Sequence, residues 1–189
     1  MVEAISSLAS AFGLSASAGL NAYLPLLIVA LAARFTPLIR LQPPFDVLTN
    51  GWVIGVLVVL LAIEVIADKV PVVDSINDTV QTVIRPAAGA ILFASAGHAI
   101  AEVDPVLAMV CGVIVAGGIH VAKATVRPLV TASSAGIMNP VVSTVEDIVS
   151  AMTALLAILV PALLVLILLA LGAWIVWRRS RRPRPAVEA

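Results

Sequence analysis

The chain has 189 residues, 61 % hydrophobic and 12 % charged, with 11 basic against 11 acidic side chains. A soluble domain carries about twice that charged fraction, so the composition excludes an ordinary water-soluble globule, and zero net charge argues against a nucleic-acid partner. A mean hydropathy of +1.14 agrees. Only helices or closed barrels satisfy the backbone in lipid, and the long apolar runs lack the polar alternation of barrel strands. The expected fold class is therefore all-α, a polytopic transmembrane bundle of about five spans.

The first expected span runs from Leu8 to about Ala33, interrupted by Ser17-Ala18-Gly19-Leu20-Asn21 and by Pro25. The preceding Met-Val-Glu lacks the basic stretch of a signal peptide, so this span reads as retained. A polar loop with Arg34, Arg40, Pro43-Pro44 and Asp46 follows. The second span is Trp52 to Ala67 and ends in Asp68-Lys69-Val70-Pro71. Residues 72–85 mix polar and apolar side chains. The third span covers Pro86 to Ala101 and the fourth Val106 to Ala122. About 16 residues span only roughly 24 Å, against a hydrocarbon core of about 30 Å. These two spans must continue into their mixed flanks, or one flank is re-entrant. Residues 123–147 are again mixed, and the fifth span is Ile148 to Trp177.

The tail Arg178-Arg179-Ser180-Arg181-Arg182-Pro183-Arg184 reads as a cytoplasmic topology anchor. Five spans then put the N-terminus outside and keep Arg34 and Arg40 inside. Trp52, Trp174 and Trp177 fall at the same interface, where indoles prefer to sit. The expected organisation is one transmembrane domain, 1–177, and a basic tail, 178–189, in the inner (plasma) membrane.

Two segments echo one another: Pro71-Val-Val-Asp-Ser-Ile-Asn-Asp-Thr-Val80 and Pro140-Val-Val-Ser-Thr-Val-Glu-Asp-Ile-Val149, identical at five of ten positions. Ser17-Ala-Gly-Leu20 and Ser134-Ala-Gly-Ile137 form a second echo, Val83-Ile-Arg-Pro86 and Thr125-Val-Arg-Pro128 a third. Their offsets differ, so no single duplication explains all three. The first echo suggests a two-fold pseudo-repeat with a site at its interface.

A carboxylate in hydrocarbon costs several kcal/mol unless paired, protonated or hydrated. Glu64 and Asp68 share a helix face, with Lys69 adjacent. Asp68 and Lys69 read as an interfacial pair, and the deeper Glu64 as an ion or proton site. Its expected partner is His120, Lys123 or Arg127. Those three share a face, which fits a proton relay or anion site as well as interfacial snorkelling. Asp74, Asp78, Gln81 and Arg85 form a polar stripe. It fits a water-filled pathway or, slightly better, an amphipathic helix in the interface. Ser75 to Asp78 and Thr144 to Asp147 match capping boxes. Asn21 and Asn139 mark candidate helix breaks, the second beside Pro140. His98 reads as structural. The clusters Ser17-Ala18-Gly19, Ser95-Ala96-Gly97, Gly117-Gly118 and Ser133-Ser134-Ala135-Gly136 read as close helix contacts. Cys111 has no cysteine partner. No nucleotide, zinc-protease or paired-cysteine motif is present, so neither an enzyme nor a cofactor or metal site is expected.

Ala18-Gly-Leu-Asn-Ala-Tyr-Leu-Pro-Leu26, Glu64-Val-Ile-Ala-Asp-Lys-Val-Pro-Val-Val-Asp74 and Ile84-Arg-Pro-Ala-Ala-Gly-Ala90 resemble an uncharacterised family. Its members are small bacterial membrane proteins described only as a domain of unknown function, with related domains in plants. The resemblance implies that Asn21, Glu64, Asp68, Lys69, Asp74, Asp78 and Arg85 belong to family motifs. It implies no activity. The first functional expectation is a carrier or channel for a small solute or ion. The alternatives are a non-transporting subunit or assembly factor of a membrane complex, and a lipid-handling protein. Expected partners are membrane lipids, a small solute or ion, and a second copy or another membrane protein.

Overall fold

In the computed structural model, which describes residues 2–69, 71–97 and 104–180, the chain is helical and no strand occurs among the described residues. The described residues form six α-helices in order: α1 (Val2–Leu20), α2 (Tyr23–Phe35), α3 (Gly51–Ala67), α4 (Pro71–Gly97), α5 (Pro105–Ser134) and α6 (Asn139–Ser180). A short 3-10 turn, Phe45–Thr49, precedes α3.

The helix starts follow from local chemistry. Asn50 accepts the Trp52 N–H at 2.9 Å and opens α3. Asp104 accepts from Val106 (2.8 Å) and Leu107 (3.1 Å), with Pro105 as first helical residue of α5. Proline likewise opens α4. Helix α5 ends on a left-handed turn, Ala135 at φ 50° and Gly136 at φ 81°, where the Gly136 N–H reaches back to the Thr131 carbonyl at 3.0 Å.

The first expected span is two helices. Pro25 has no N–H to offer the Asn21 carbonyl, which breaks the helical bonding there. The chain then reverses. Ser17 and Ser150 exchange side-chain bonds to each other's carbonyls at 2.8 and 3.1 Å, and Ser10 donates to the Ala157 carbonyl at 2.6 Å, so α1 runs antiparallel to α6. On the other side of the break, Leu31 and Phe35 of α2 line one apolar cavity with Leu155 and Leu159 of α6. Ser10 and Phe35 therefore lie near the same level of α6. The six helices alternate in direction, and the N-terminus lies toward the same end of the bundle as the C-terminal part of α6, unlike the five-span arrangement.

The mixed segment 72–85 is continuous with the third span in α4, and residues 123–134 continue the fourth in α5. At 27 and 30 residues these helices reach about 40 and 45 Å. Helix α6 begins nine residues before the expected fifth span, so Asn139 and Pro140 start a helix rather than interrupt one.

Helix α1 is central and packs on α4, α5 and α6. Its small residues allow this. A Cβ on Gly19 would stand 2.6 Å from the Ala116 carbonyl oxygen of α5, and one on Gly89 of α4 would stand 2.8 Å from the Gly112 oxygen. Ser15 points its hydroxyl between the Gly89 (3.2 Å) and Gly112 (2.9 Å) carbonyls, tying three helices together. Gly118 has nothing near it, and Gly117 meets only Pro86 at 3.7 Å, so that pair is no close contact. An apolar core of Leu14, Leu26, Val29, Leu57, Leu92 and Ile158 fills one end of the bundle. The outside is apolar as well: Trp52, Val59, Ile63, Ile114, Leu129 and Leu156 are all exposed. By length and composition, α5 and the Asn139–Val160 part of α6 are able to cross a bilayer.

Candidate functional site

The polar side chains go inward. The α1–α2 break, the C-terminal ends of α3 and α5 and the N-terminal halves of α4 and α6 converge on one cluster. It contains Asn21, Glu64, Asp68, Asn77, Asp78, Gln81, Arg85, His120, Lys123, Arg127, Glu146 and Asp147.

Arg85 is at its centre, with no exposed side-chain surface. Its Nη2 donates to Glu64 Oε1 at 3.1 Å and lies 3.8 Å from Asp68 Oδ2. Its Nη1 lies 3.7 Å from Asp78 Oδ1 and 3.1 Å from His120 Nδ1. The partner of Glu64 is thus Arg85 from α4, not a cation from α5. Lys123 and Arg127 go to Asp68 and Glu146 instead.

A guanidinium has only donors, so His120 Nδ1 accepts from Arg85. The neutral ring must then carry its proton on Nε2, which donates to Thr82 Oγ1 at 3.1 Å. The Thr82 hydroxyl proton goes to the Asp78 carbonyl at 2.9 Å. His120 is a neutral wedge between two α4 side chains.

Asp68 collects cations from two helices. Lys123 and Arg127 of α5 stand 3.5 Å from Oδ2, beside Arg85, while Asn77 donates to Oδ1 at 2.7 Å. It does not pair with Lys69. Lys69 turns instead toward Asp147 (3.9 Å) and the Val65 carbonyl (3.2 Å). Glu146 takes Lys123 at 3.0 Å and Arg127 at 3.2 Å. Arg127 also lies 3.4 Å from Asp78. The two arginines of the Val-Arg-Pro and Ile-Arg-Pro echoes therefore address the same two carboxylates, Asp68 and Asp78.

The break in the first span joins this cluster. Asn21 Oδ1 accepts the Leu24 N–H at 3.0 Å and caps α2, while its Nδ2 donates to Asp147 at 2.9 Å. Lys123 caps the other side by donating to the Leu20 carbonyl at 3.1 Å. Both ends of a helix break are thus satisfied by side chains more than a hundred residues away or by the break itself.

Of the expected site residues, Asn21, Glu64, Asp68, Asp78, Arg85, His120, Lys123 and Arg127 are brought together, with Lys69 at the rim. Asn139 sits apart at the start of α6, its Oδ1 3.0 Å from the Thr131 hydroxyl. The Asp74 side chain and His98 lie outside the described residues. The stripe Asp78, Gln81, Arg85 faces the interior, not water. Thr144 bonds the Pro140 carbonyl from within α6 at 2.7 Å, so it is no helix cap, and Glu146 and Asp147 behind it are cluster members. Sequence reasoning assigned those two to capping. The signal was a carboxylate pair between valines and isoleucines in an apolar helix. Among the described residues no three His, Cys, Asp or Glu side chains are placed to hold a metal ion.

A family model for a domain of unknown function, DUF4126, matches residues 8–181. The chain belongs to the DUF4126 family. The match takes in α2 to α6, all of α1 but its first six residues, and every residue of the cluster, so the buried charges lie within the DUF4126 domain itself. No curated protein and no solved structure matches the chain.

Proposed function

We propose that this DUF4126 protein is a polytopic membrane protein that carries a small solute or ion across the bilayer by way of the charged cluster. An apolar exterior around a charged interior is the arrangement lipid favours and water opposes. Packing alone does not account for the interior, because apolar side chains of similar volume fill such a space at no desolvation penalty.

The observation that carries the reading is a gradient of access. The Glu64–Arg85 pair has no exposed side-chain surface. It connects through Asp68 and Asp78 to a rim where Lys69 is 38 % exposed and Asp147 16 %. The opposite side is closed by the core around Leu26, Leu57 and Leu92. The cluster is thus sealed at its centre and partly exposed at one end, which supports a carrier facing one side. With the basic tail cytoplasmic, the six alternating helices put both termini and Arg34 inside and the exposed rim of the cluster outside. Helices α4 and α6 both begin at a Pro-Val-Val and bring Asp78 and Asp147, equivalent positions of the echo, to the cluster, in keeping with a pseudo-repeat.

The test is uptake into proteoliposomes of a panel of small ions and neutral solutes. The expected result is protein-dependent flux of at least one of them, lost in Arg85→Gln. Absence of flux across the panel favours the second reading, a non-transporting subunit. The tight α1–α4–α5 seam at Gly19, Gly89 and Gly112 and the dense pairing of the cluster are what support that reading.

A further inference from the structure

We propose that Glu64 holds a proton on Oε2 and donates it to Gln81 Oε1, making this pair the point where the cluster takes up and releases one proton. The proposal rests on the carrier reading for its purpose, but protonation is a property of the folded chain and is read without flux.

Glu64 and Gln81 are 1 % and 2 % exposed, and each leaves one buried side-chain oxygen, Oε2 and Oε1, without a hydrogen-bond donor. The other Glu64 oxygen already accepts from Arg85 at 3.1 Å. Gln81 lies one turn before Arg85 on the same face of α4. Tyr23 lies beside both Gln81 and Glu64. Two acceptors repel, whereas a protonated carboxyl is a donor. A proton on Glu64 Oε2, given to Gln81 Oε1, supplies the donor that both oxygens lack.

The charges of the cluster call for the same addition. Five carboxylates, Glu64, Asp68, Asp78, Glu146 and Asp147, meet four cations, Lys69, Arg85, Lys123 and Arg127, among the described residues. His120 adds none, because Arg85 holds it neutral. The groups facing Glu64 are Tyr23 from α2, Asp68 just past the end of its own helix, Arg85 from α4 and Lys123 from α5. The competing arrangement is an ionised Glu64 bridged to Gln81 by a buried water, which Arg85 Nε, also unpaired, is free to bond.

Infrared spectroscopy of the full chain in lipid nanodiscs separates the two. The expected result near neutral pH is a carboxylic-acid C=O band that is absent in Glu64→Gln. In Gln81→Leu it moves to higher frequency, since the acceptor is gone. Glu64→Gln also keeps both bonds, its amide N–H2 donating to Gln81 and its oxygen accepting from Arg85, so it melts with the parent. No such band in the parent, with Glu64→Gln melting far below it, overturns the proposal. An unshifted band in folded Gln81→Leu, or in Gln81→Met should the leucine variant fail to fold, removes Gln81 from it. A band without flux sinks the carrier reading alone, and flux without a band sinks the proton assignment alone.

Discussion

Replacing Arg85 with Met tests whether the cluster is organised around one cation. The guanidinium lies 3.8 Å from Asp68 and 3.7 Å from Asp78, beyond its bonds to Glu64 and His120. Each ion pair at that distance is worth about 4 kcal/mol of Coulomb energy at an effective dielectric near 20. Desolvation of the buried ions offsets much of this, and removing one partner of such a network costs about 3–5 kcal/mol. Arg127 still serves both aspartates and Lys123 still serves Asp68, which points to the low end. Met fills the space flexibly, so little is added for a cavity. For a chain of this size about 3 kcal/mol lowers the melting temperature by on the order of 10 °C. Circular-dichroism melts in detergent micelles measure it. Arg85→Lys keeps the charge without the fork and should fall between the two. An Arg85→Met variant melting within about 2 °C of the parent would mean that the carboxylates find sufficient cations elsewhere, and the central role of Arg85 would be refuted.

Gly89→Val should destabilise by at least about 1–3 kcal/mol, because its side chain meets backbone and Cβ atoms of α5. Gly118→Val, with open space around it, should change the melt by less than about 0.5 kcal/mol. Asn21→Ala removes the α2 cap and the bond to Asp147 together, and a loss of about 1–2 kcal/mol is expected in chemical unfolding. In whole cells, cysteines introduced at Val2 and at Glu188 should both resist a membrane-impermeant thiol reagent, while one at Ile137 should react. Labelling at Val2 but not at Glu188 would restore the five-span arrangement with an external N-terminus.

Much of the architecture was legible in the chain. The second span, Trp52 to Ala67, coincides with α3 to within a residue, because Asn50 caps one end and Asp68-Lys69 closes the other. The short third and fourth spans required extension, and the helices extend through Asp78 to Arg85 and through Lys123 to Arg127. The family motifs held Asn21, Glu64, Asp68, Asp78 and Arg85 of the cluster. Periodicity also placed His120, Lys123 and Arg127 on one face, and all three are buried. The α5 face does oppose Asp68 through Lys123 and Arg127, but the specific partners expected for Glu64 and for Asp68 failed. Asp68 beside Lys69 in sequence became Asp68 against Lys123, Arg127 and Arg85 in space. On a helix, neighbours in sequence point about 100° apart, so adjacency is a poor guide to pairing.

Composition and local spacing by themselves determined the helical class, the bounds of α3, and which helix faces carry charge. These depend on backbone hydrogen bonding and on hydropathy within a few turns. The reversal at Asn21-Ala22 was decided only in three dimensions. Pro25 makes a break there, but a kink in a continuing helix satisfies the local chemistry equally well. The choice falls to a hairpin because Asp147 and Lys123, 126 and 103 residues from their partners Asn21 and Leu20, bind the two sides of the break. Small residues on α1 then let α4, α5 and α6 close around it. Contacts between distant segments have no local signature, and it is those contacts that turn four separate polar stripes into one buried site.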